Sequence, residues 1–142
     1  MKKSLDEATQ HNALPQYAFA NQLATALSQD SRVRAVWLEG SLGRGQGDRH
    51  SDVDLHVALN VEDLTEFRAN YEAFLNQIQP VMKHHKMFGA MDGTILLDPQ
   101  GRLNLLQTWL DTQPELKVYE GRTRVLFDRD NCLERKIGRA HV

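Results

Sequence analysis

Residues 38–55 read LEGSLGRGQGDRHSDVDL, and this stretch decides the fold. An apolar run ends in Gly40-Ser41, ten mostly polar residues follow, and a second apolar run opens with Asp52 and Asp54. Side chains alternate faces along a strand, so the two aspartates point to one side while the apolar residues between and after them face the core. The stretch therefore predicts two strands joined by a glycine-rich loop, with two carboxylates held side by side.

This pair of carboxylates is typical of a metal site. Two like charges held together are unfavourable unless water or a cation neutralises them. Mg²⁺ takes oxygen ligands and commonly needs only one or two carboxylates together with substrate phosphates. Gly40 lets the backbone approach a ligand closely, and Ser41 offers a hydroxyl and an N–H to an anion. The alternative from the residues alone is a solvated strand end that follows an ordinary turn.

Helical and strand-like segments extend from this stretch in both directions. Apolar residues recur at helical spacing over 16–28 and 62–78, which predicts two amphipathic helices that pack on one face of a sheet. The runs 93–97 and 103–110 predict paired strands around a turn. Together these elements predict an α/β (α+β) domain with a mixed sheet.

The last third of the chain gives weaker local signals. The runs 117–119 and 124–127 predict a final hairpin around Glu120-Gly121, and 133–136 predicts the first turn of a helix. The segment Lys83–Lys86, which includes His84 and His85, predicts a basic loop rather than a metal-binding pair of histidines.

Composition narrows the possible partners. The 142 residues suffice for one domain, and 17 Lys plus Arg against 19 Asp plus Glu give a net charge of −2, which argues against binding to duplex nucleic acid or an anionic membrane. The single cysteine, Cys132, cannot form an intramolecular disulfide. No segment is long and apolar enough for a signal peptide or a membrane span. We therefore predict a cytoplasmic protein.

The motifs around Gly40-Ser41 and Asp52-Val53-Asp54 resemble those of the nucleotidyltransferase superfamily related to DNA polymerase beta. The likeness spans about residues 16–135 and is greatest for the small bacterial aminoglycoside and streptomycin adenylyltransferases. It implies a mixed β-sheet with the helices mainly on one face, on which Gly40 and Ser41 hold the triphosphate of a nucleotide. It also implies that Asp52 and Asp54 are catalytic ligands of two Mg²⁺ ions. Arg44 either steadies a phosphate or is a solvated loop cation.

One part of the family pattern is absent from the sequence. Such enzymes usually supply a third carboxylate from a later strand, but residues 103–111 carry Asn104 and Gln107 at the polar interior positions, and Asp111 lies at the far end. An amide can bind a metal but cannot act as a base. His50 is the only histidine expected near the site, and His56 is expected to be a packed or edge residue.

The resemblance implies transfer of a nucleoside monophosphate, with AMP from ATP the expected case, onto a hydroxyl of a small molecule with release of pyrophosphate. The alternatives are a non-catalytic nucleotide-binding or antitoxin-like member of the superfamily, and an enzyme that modifies a protein side chain.

The two ends of the chain differ from its centre. Residues 1–14 lack periodicity and predict a loose lead-in, and residues 15–136 form the expected nucleotidyltransferase core. Residues 137–142 resemble the translation of a sequencing adapter, so we expect a non-native tail. In the resembled branch a helical domain follows the core and builds much of the acceptor pocket, so we expect that the natural protein continues beyond residue 136.

Overall fold

The computed structural model describes the backbone of residues 14–79, 81–86, 91–97 and 103–137. Among these residues, the helices are α1 (Pro15–Ser28), α2 (Gly40–Gly43) and α3 (Leu64–Ile78), with 3₁₀ turns at Val61–Asp63 and Arg129–Asn131. The strands are β1 (Val33–Leu38), β2 (Val53–Leu59), β3 (Val81–Lys86), β4 (Met91–Leu97), β5 (Leu103–Asp111), β6 (Leu116–Tyr119), β7 (Arg124–Asp128) and β8 (Leu133–Lys136). The predicted lead-in and tail lie outside the described residues, apart from Leu14 and Ile137.

Six strands form a mixed sheet in the order β3-β4-β5-β2-β1-β7, which confirms the predicted α+β class. Strand β2 is antiparallel to β1 and parallel to β5, and β4 is antiparallel to β5. The predicted strand pair of 93–97 and 103–110 is therefore correct. Strand β2 lies between β1 and β5, and Leu55 is paired with a residue of each of them. Val53 and Asp54, at the beginning of β2, are in register with residues of β5.

Alternation along β1 and β2 gives the sheet two different faces. One face carries Val36, Leu38, Val53, Leu55, Val57 and Leu59, which pack with buried residues of both long helices in a single cluster. Helix α1 contributes Leu23 and Leu27 to this cluster, and α3 contributes Phe67, Tyr71 and Leu75. Helical spacing thus predicted both the helices and the face that they cover.

The opposite face is covered only in part. A parallel pair, β6 and β8, contributes Leu116, Val118 and Leu133 to a smaller cluster with Trp37 and Ala58. On the same face, Asp54 and His56 belong to β2, and Gln107 and Trp109 belong to β5. Asp54, His56 and Gln107 therefore lie on the face away from the helices.

Three local predictions are wrong. The runs 117–119 and 124–127 do not pair as a hairpin, because β6 pairs with β8 and β7 pairs with β1. Residues 133–136 form strand β8 instead of the start of a helix. The segment Lys83–Lys86 belongs to β3 and not to a loop, because β4 supplies a hydrogen-bonded partner strand. Each of these segments takes its structure from a partner strand that local sequence does not reveal.

No helix in the described part of the chain is both long enough and apolar enough to cross a membrane.

A buried hydrogen bond joins α3 to the sheet. The hydroxyls of Tyr71 and Thr108 lie 2.8 Å apart, and both residues are almost fully buried. We expect Tyr71→Phe to lower the free energy of unfolding by about 1 to 2 kcal/mol, because the Thr108 hydroxyl loses its buried partner. The double variant Tyr71→Phe with Thr108→Val should lose less unfolding free energy than the two single variants lose in sum. Urea unfolding of the four proteins measures this, and strictly additive losses would contradict the coupling.

Candidate functional site

The loop between β1 and β2 brings the predicted site residues together. Strand β1 ends at Leu38, Gly40 begins the one-turn helix α2, and Ser41 lies within that turn. The Glu39 N–H donates to the Asp54 carbonyl over 3.0 Å, which fixes the start of the loop to the start of β2. Asp54 thus lies beside the Gly-Ser turn, as its predicted role requires.

Only glycine fits at position 40, because the Asp54 carboxylate packs against it. Its φ is +66°, in the region that favours glycine, and a Cβ added there would overlap the Asp54 carboxylate. Gly43 is packed as closely, since a Cβ on it would come within 2.5 Å of the Leu38 carbonyl oxygen and 2.8 Å of the Arg122 carbonyl oxygen. By contrast, a Cβ on Gly45 would have no atom of the described residues within 4 Å, although the φ of Gly45 is +73°.

The Asp54 carboxylate is placed where its negative charge is poorly stabilised. Its Oδ1 atom is buried and accepts no hydrogen bond from the residues that the structure describes. Burial raises the pKa of Asp54, and the charges of Asp52 and Glu39 raise it further, while Arg44 lowers it. A bound cation would stabilise the ionised form of this group.

Asp52 and Arg44 are both exposed. Asp52 follows directly after Ser51 and lies close enough to Asp54 to influence its charge. The Arg44 Nε donates to the Gln46 side chain over 3.4 Å, a long hydrogen bond within the loop. Arg44 is thus a loop cation near the carboxylates, which is compatible with either of the two roles considered from the sequence.

The loop is held together by serine hydroxyls. The Ser41 hydroxyl donates to the Ser51 Oγ over 3.1 Å, and the Asp48 N–H donates to the same oxygen over 2.8 Å. The His50 N–H donates to the Asp48 side chain over 2.9 Å, while the His50 side chain is exposed. The structure therefore places His50 in the loop, where its imidazole makes no hydrogen bond or ion pair with the described part of the chain.

The neighbouring strand supplies an amide where the family pattern leads us to expect an acid. Gln107 on β5 is in register with Asp54, whereas Asp111 is in register with Ala58, four residues further along β2. Among the described residues no group of three or more His, Cys, Asp or Glu is arranged to hold a metal. The carboxylates present still fit a Mg²⁺ ion that takes its other ligands from water and substrate phosphates.

Glu39 is a third acidic residue near the site, and it is not among the residues predicted from the sequence. Its Oε1 accepts hydrogen bonds from the Trp37 indole over 3.1 Å and from the Thr123 hydroxyl over 3.2 Å. These two contacts orient the carboxylate at the end of β1. Glu39 follows Trp37 at a spacing of two, so strand alternation is the signal that could have placed both side chains on one face.

Three aromatic rings form a row across the central strands on the same face. The His56 ring stacks on Trp37 with a centroid distance of 5.3 Å and on Trp109 at 4.9 Å. Burial lowers the pKa of His56 to about 4, although the Asp111 charge opposes this shift. His56 is thus a packed neutral residue at neutral pH.

Residues 20–87 match the family model described as Nucleotidyltransferase domain. The matched segment includes the Gly-Ser turn, the loop and both aspartates, so the match supports a nucleotidyltransferase at the level of the superfamily. No curated protein matches the chain. The narrower likeness to aminoglycoside and streptomycin adenylyltransferases stays a prediction.

The packing of Gly40 gives a test with a matched control. Gly45→Ala should cost about 1 kcal/mol of unfolding free energy, because alanine at positive φ is strained, while its Cβ overlaps no atom of the residues that the structure describes. Gly40→Ala should cost about 2 kcal/mol more, because its Cβ also overlaps the Asp54 carboxylate. Adding Asp54→Ala should recover most of that extra loss. Equal losses for the two glycine variants in urea unfolding would contradict the close packing.

His56 gives a pH test of the aromatic row. Its pKa in the folded protein is about 4 and its ordinary value is 6.5, so the unfolded chain binds the proton more tightly. The contribution of neutral His56 to the stability of the fold is complete above about pH 6.5 and is lost as the pH falls toward 4. When the pH is lowered from 7 to 5, we expect the protonation of His56 to lower the free energy of unfolding by about 1 to 2 kcal/mol.

The measurement compares urea unfolding of the wild type and of His56→Phe at both pH values. The variant retains a ring in the row but cannot take up a proton, so its stability should fall less on acidification. The same loss in both proteins would show that His56 does not carry the effect.

Proposed function

We propose that this protein transfers a nucleoside monophosphate, AMP from ATP, onto a hydroxyl of a small molecule and releases pyrophosphate in a Mg²⁺-dependent reaction. The domain match supports nucleotidyl transfer in general. The observation that carries the finer proposal is the Asp54 carboxylate, which lies against Gly40 with a buried oxygen that accepts no hydrogen bond from described residues.

Each site residue would have a defined role in the proposed reaction. Asp52 and Asp54 would hold the metal, and Gly40, Ser41 and Arg44 would bind the triphosphate. The bound metal would neutralise phosphate charge and stabilise the leaving pyrophosphate. The acceptor oxygen forms a bond to the α-phosphorus while the bond to the bridging oxygen of the pyrophosphate breaks, and the hydroxyl proton goes to a base or to solvent.

The Ser41 hydroxyl must exchange its hydrogen-bond acceptor when nucleotide binds. Its hydroxyl donates to Ser51 in the described structure, so donation to a phosphate oxygen would replace that hydrogen bond. The cost of this exchange is small, because one hydrogen bond is traded for another with a charged acceptor. Ser51 keeps its hydrogen bond from the Asp48 N–H.

A second candidate function is non-catalytic nucleotide binding. The observation that favours it is Gln107, which stands in register with Asp54 where a carboxylate would serve as metal ligand and base. Transfer onto a protein side chain uses the same phosphate chemistry and differs only in the acceptor. Mass spectrometry after incubation with ATP and Mg²⁺ separates the three outcomes as a modified small molecule, a modified protein or unchanged ATP.

The aspartates provide the decisive variants. Asp52→Asn and Asp54→Asn should each abolish Mg²⁺-dependent binding of ATP or lower turnover about a thousandfold, because each removes a charge that holds the metal. Asp111→Asn is the matched control, since it makes the same change on the same face at the far end of β5. Calorimetry with ATP and Mg²⁺ measures the affinities. Unchanged affinity in both aspartate variants would disprove the metal assignment.

A further inference from the structure

The loop that carries the candidate site has two arms, both held by the first turn of α1. The first arm is the turn at Gly40–Gly43, and the second arm is the segment 48–51 that leads into the aspartates. We infer that Gln16 and Tyr17 act as a clamp that fixes the two arms relative to each other, which makes both of them positioning residues of the site. This inference rests on the proposed nucleotide-binding function.

Gln16 holds the second arm. Its side chain is buried, and its Nε2 donates to the Asp48 carbonyl over 2.9 Å and to the Ser51 carbonyl over 3.2 Å. The Ser51 carbonyl belongs to the peptide bond that leads directly into Asp52. One amide group therefore fixes both ends of the short segment in front of the first metal-binding aspartate.

Tyr17 holds the first arm. Its ring is buried, and its hydroxyl donates to the Leu42 carbonyl in the Gly-Ser turn. The Arg124 guanidinium lies 4.2 Å from the centre of the ring, which fixes the tyrosine against strand β7. Since Gln16 and Tyr17 are consecutive, the two arms are attached to one helical turn.

The two arms are also joined directly by the hydrogen bond between the hydroxyls of Ser41 and Ser51. The proposed function requires this hydrogen bond to open when Ser41 binds a phosphate. Once it opens, the attachments made by Gln16 and Tyr17 still hold the arms at their separation. The clamp would thus preserve the distance between the phosphate-binding turn and the aspartates during binding.

One observation separates this clamp from ordinary core packing. The Gln16 Oε1 atom is buried without a hydrogen-bond partner among the described residues, which costs stability that an apolar side chain would not lose. The two hydrogen bonds that Nε2 of the same amide donates to the second arm give a reason for a glutamine at this position.

The test uses variants that remove only the hydrogen bonds. Gln16→Met keeps the length of the side chain but removes both donors, and Tyr17→Phe removes only the hydroxyl. The controls are Gln22→Met on the exposed side of α1 and Tyr71→Phe, which loses a buried tyrosine hydroxyl at the other long helix. All proteins are compared at a temperature where urea unfolding shows them to be folded.

The first readout is amide hydrogen exchange in the absence of nucleotide. The Ser51 N–H donates to the Asp48 carbonyl over 3.1 Å, and the Gln46 N–H donates to the Ser41 carbonyl over 2.8 Å. We expect exchange at these two amides to become at least tenfold faster in Gln16→Met and Tyr17→Phe, and to stay unchanged in both controls. Unchanged exchange in the two clamp variants would overturn the inference.

The second readout is the affinity for ATP with Mg²⁺, measured by calorimetry. The clamp predicts about tenfold weaker binding in Gln16→Met and in Tyr17→Phe, with less than a twofold change in the controls. Equal weakening in Tyr71→Phe would show a general loss of stability and would overturn the inference. If the wild type binds no ATP, the proposed function fails, and hydrogen exchange alone decides whether the clamp exists. If Gln16→Met does not fold, Tyr17→Phe decides both readouts.

Discussion

The contact between the Asp54 carboxylate and Gly40 is the constraint on which the candidate site depends. A residue with a Cβ cannot stand at position 40 without displacing the carboxylate, and the positive φ there directs the chain from β1 into the loop. The Glu39 N–H then fixes that turn to the backbone of Asp54. The distance between the Gly-Ser turn and the aspartates follows from these three local features.

In the absence of a ligand, this arrangement destabilises the ionised form of the Asp54 carboxylate. A carboxylate with a buried oxygen that accepts no hydrogen bond from described residues, next to Asp52 and near Glu39, is less stable as an anion than a carboxylate in water. The apolar cluster on the other face supplies the compensating stability, since the same strand places Val53, Leu55 and Val57 there. Alternation along β2 thus lets one strand support both the core and an electrostatically strained site.

The sequence predicted those features that repeat locally. Helical spacing predicted α1 and α3, and the alternation after Ser51 predicted which side chains of β2 leave the core. It did not predict β8, because Glu134, Arg135 and Lys136 are good helix formers and the strand is defined by its pairing with β6. It did not predict that β7 pairs with β1 either, because the turn at Glu120-Gly121 is a local signal and the actual partner lies about 90 residues earlier.

The role of Gln16 could not be predicted from the sequence either, since a polar residue in the first turn of a helix ordinarily faces solvent.

The chain has two tryptophans, and both stack on His56. The tryptophan fluorescence of the protein therefore comes from one small area of the sheet around His56, two residues along β2 from Asp54. An imidazolium quenches a neighbouring indole more strongly than a neutral imidazole does, so the emission reports the protonation of His56. The folded chain thus carries its own unlabelled optical probe on the face that bears the candidate site.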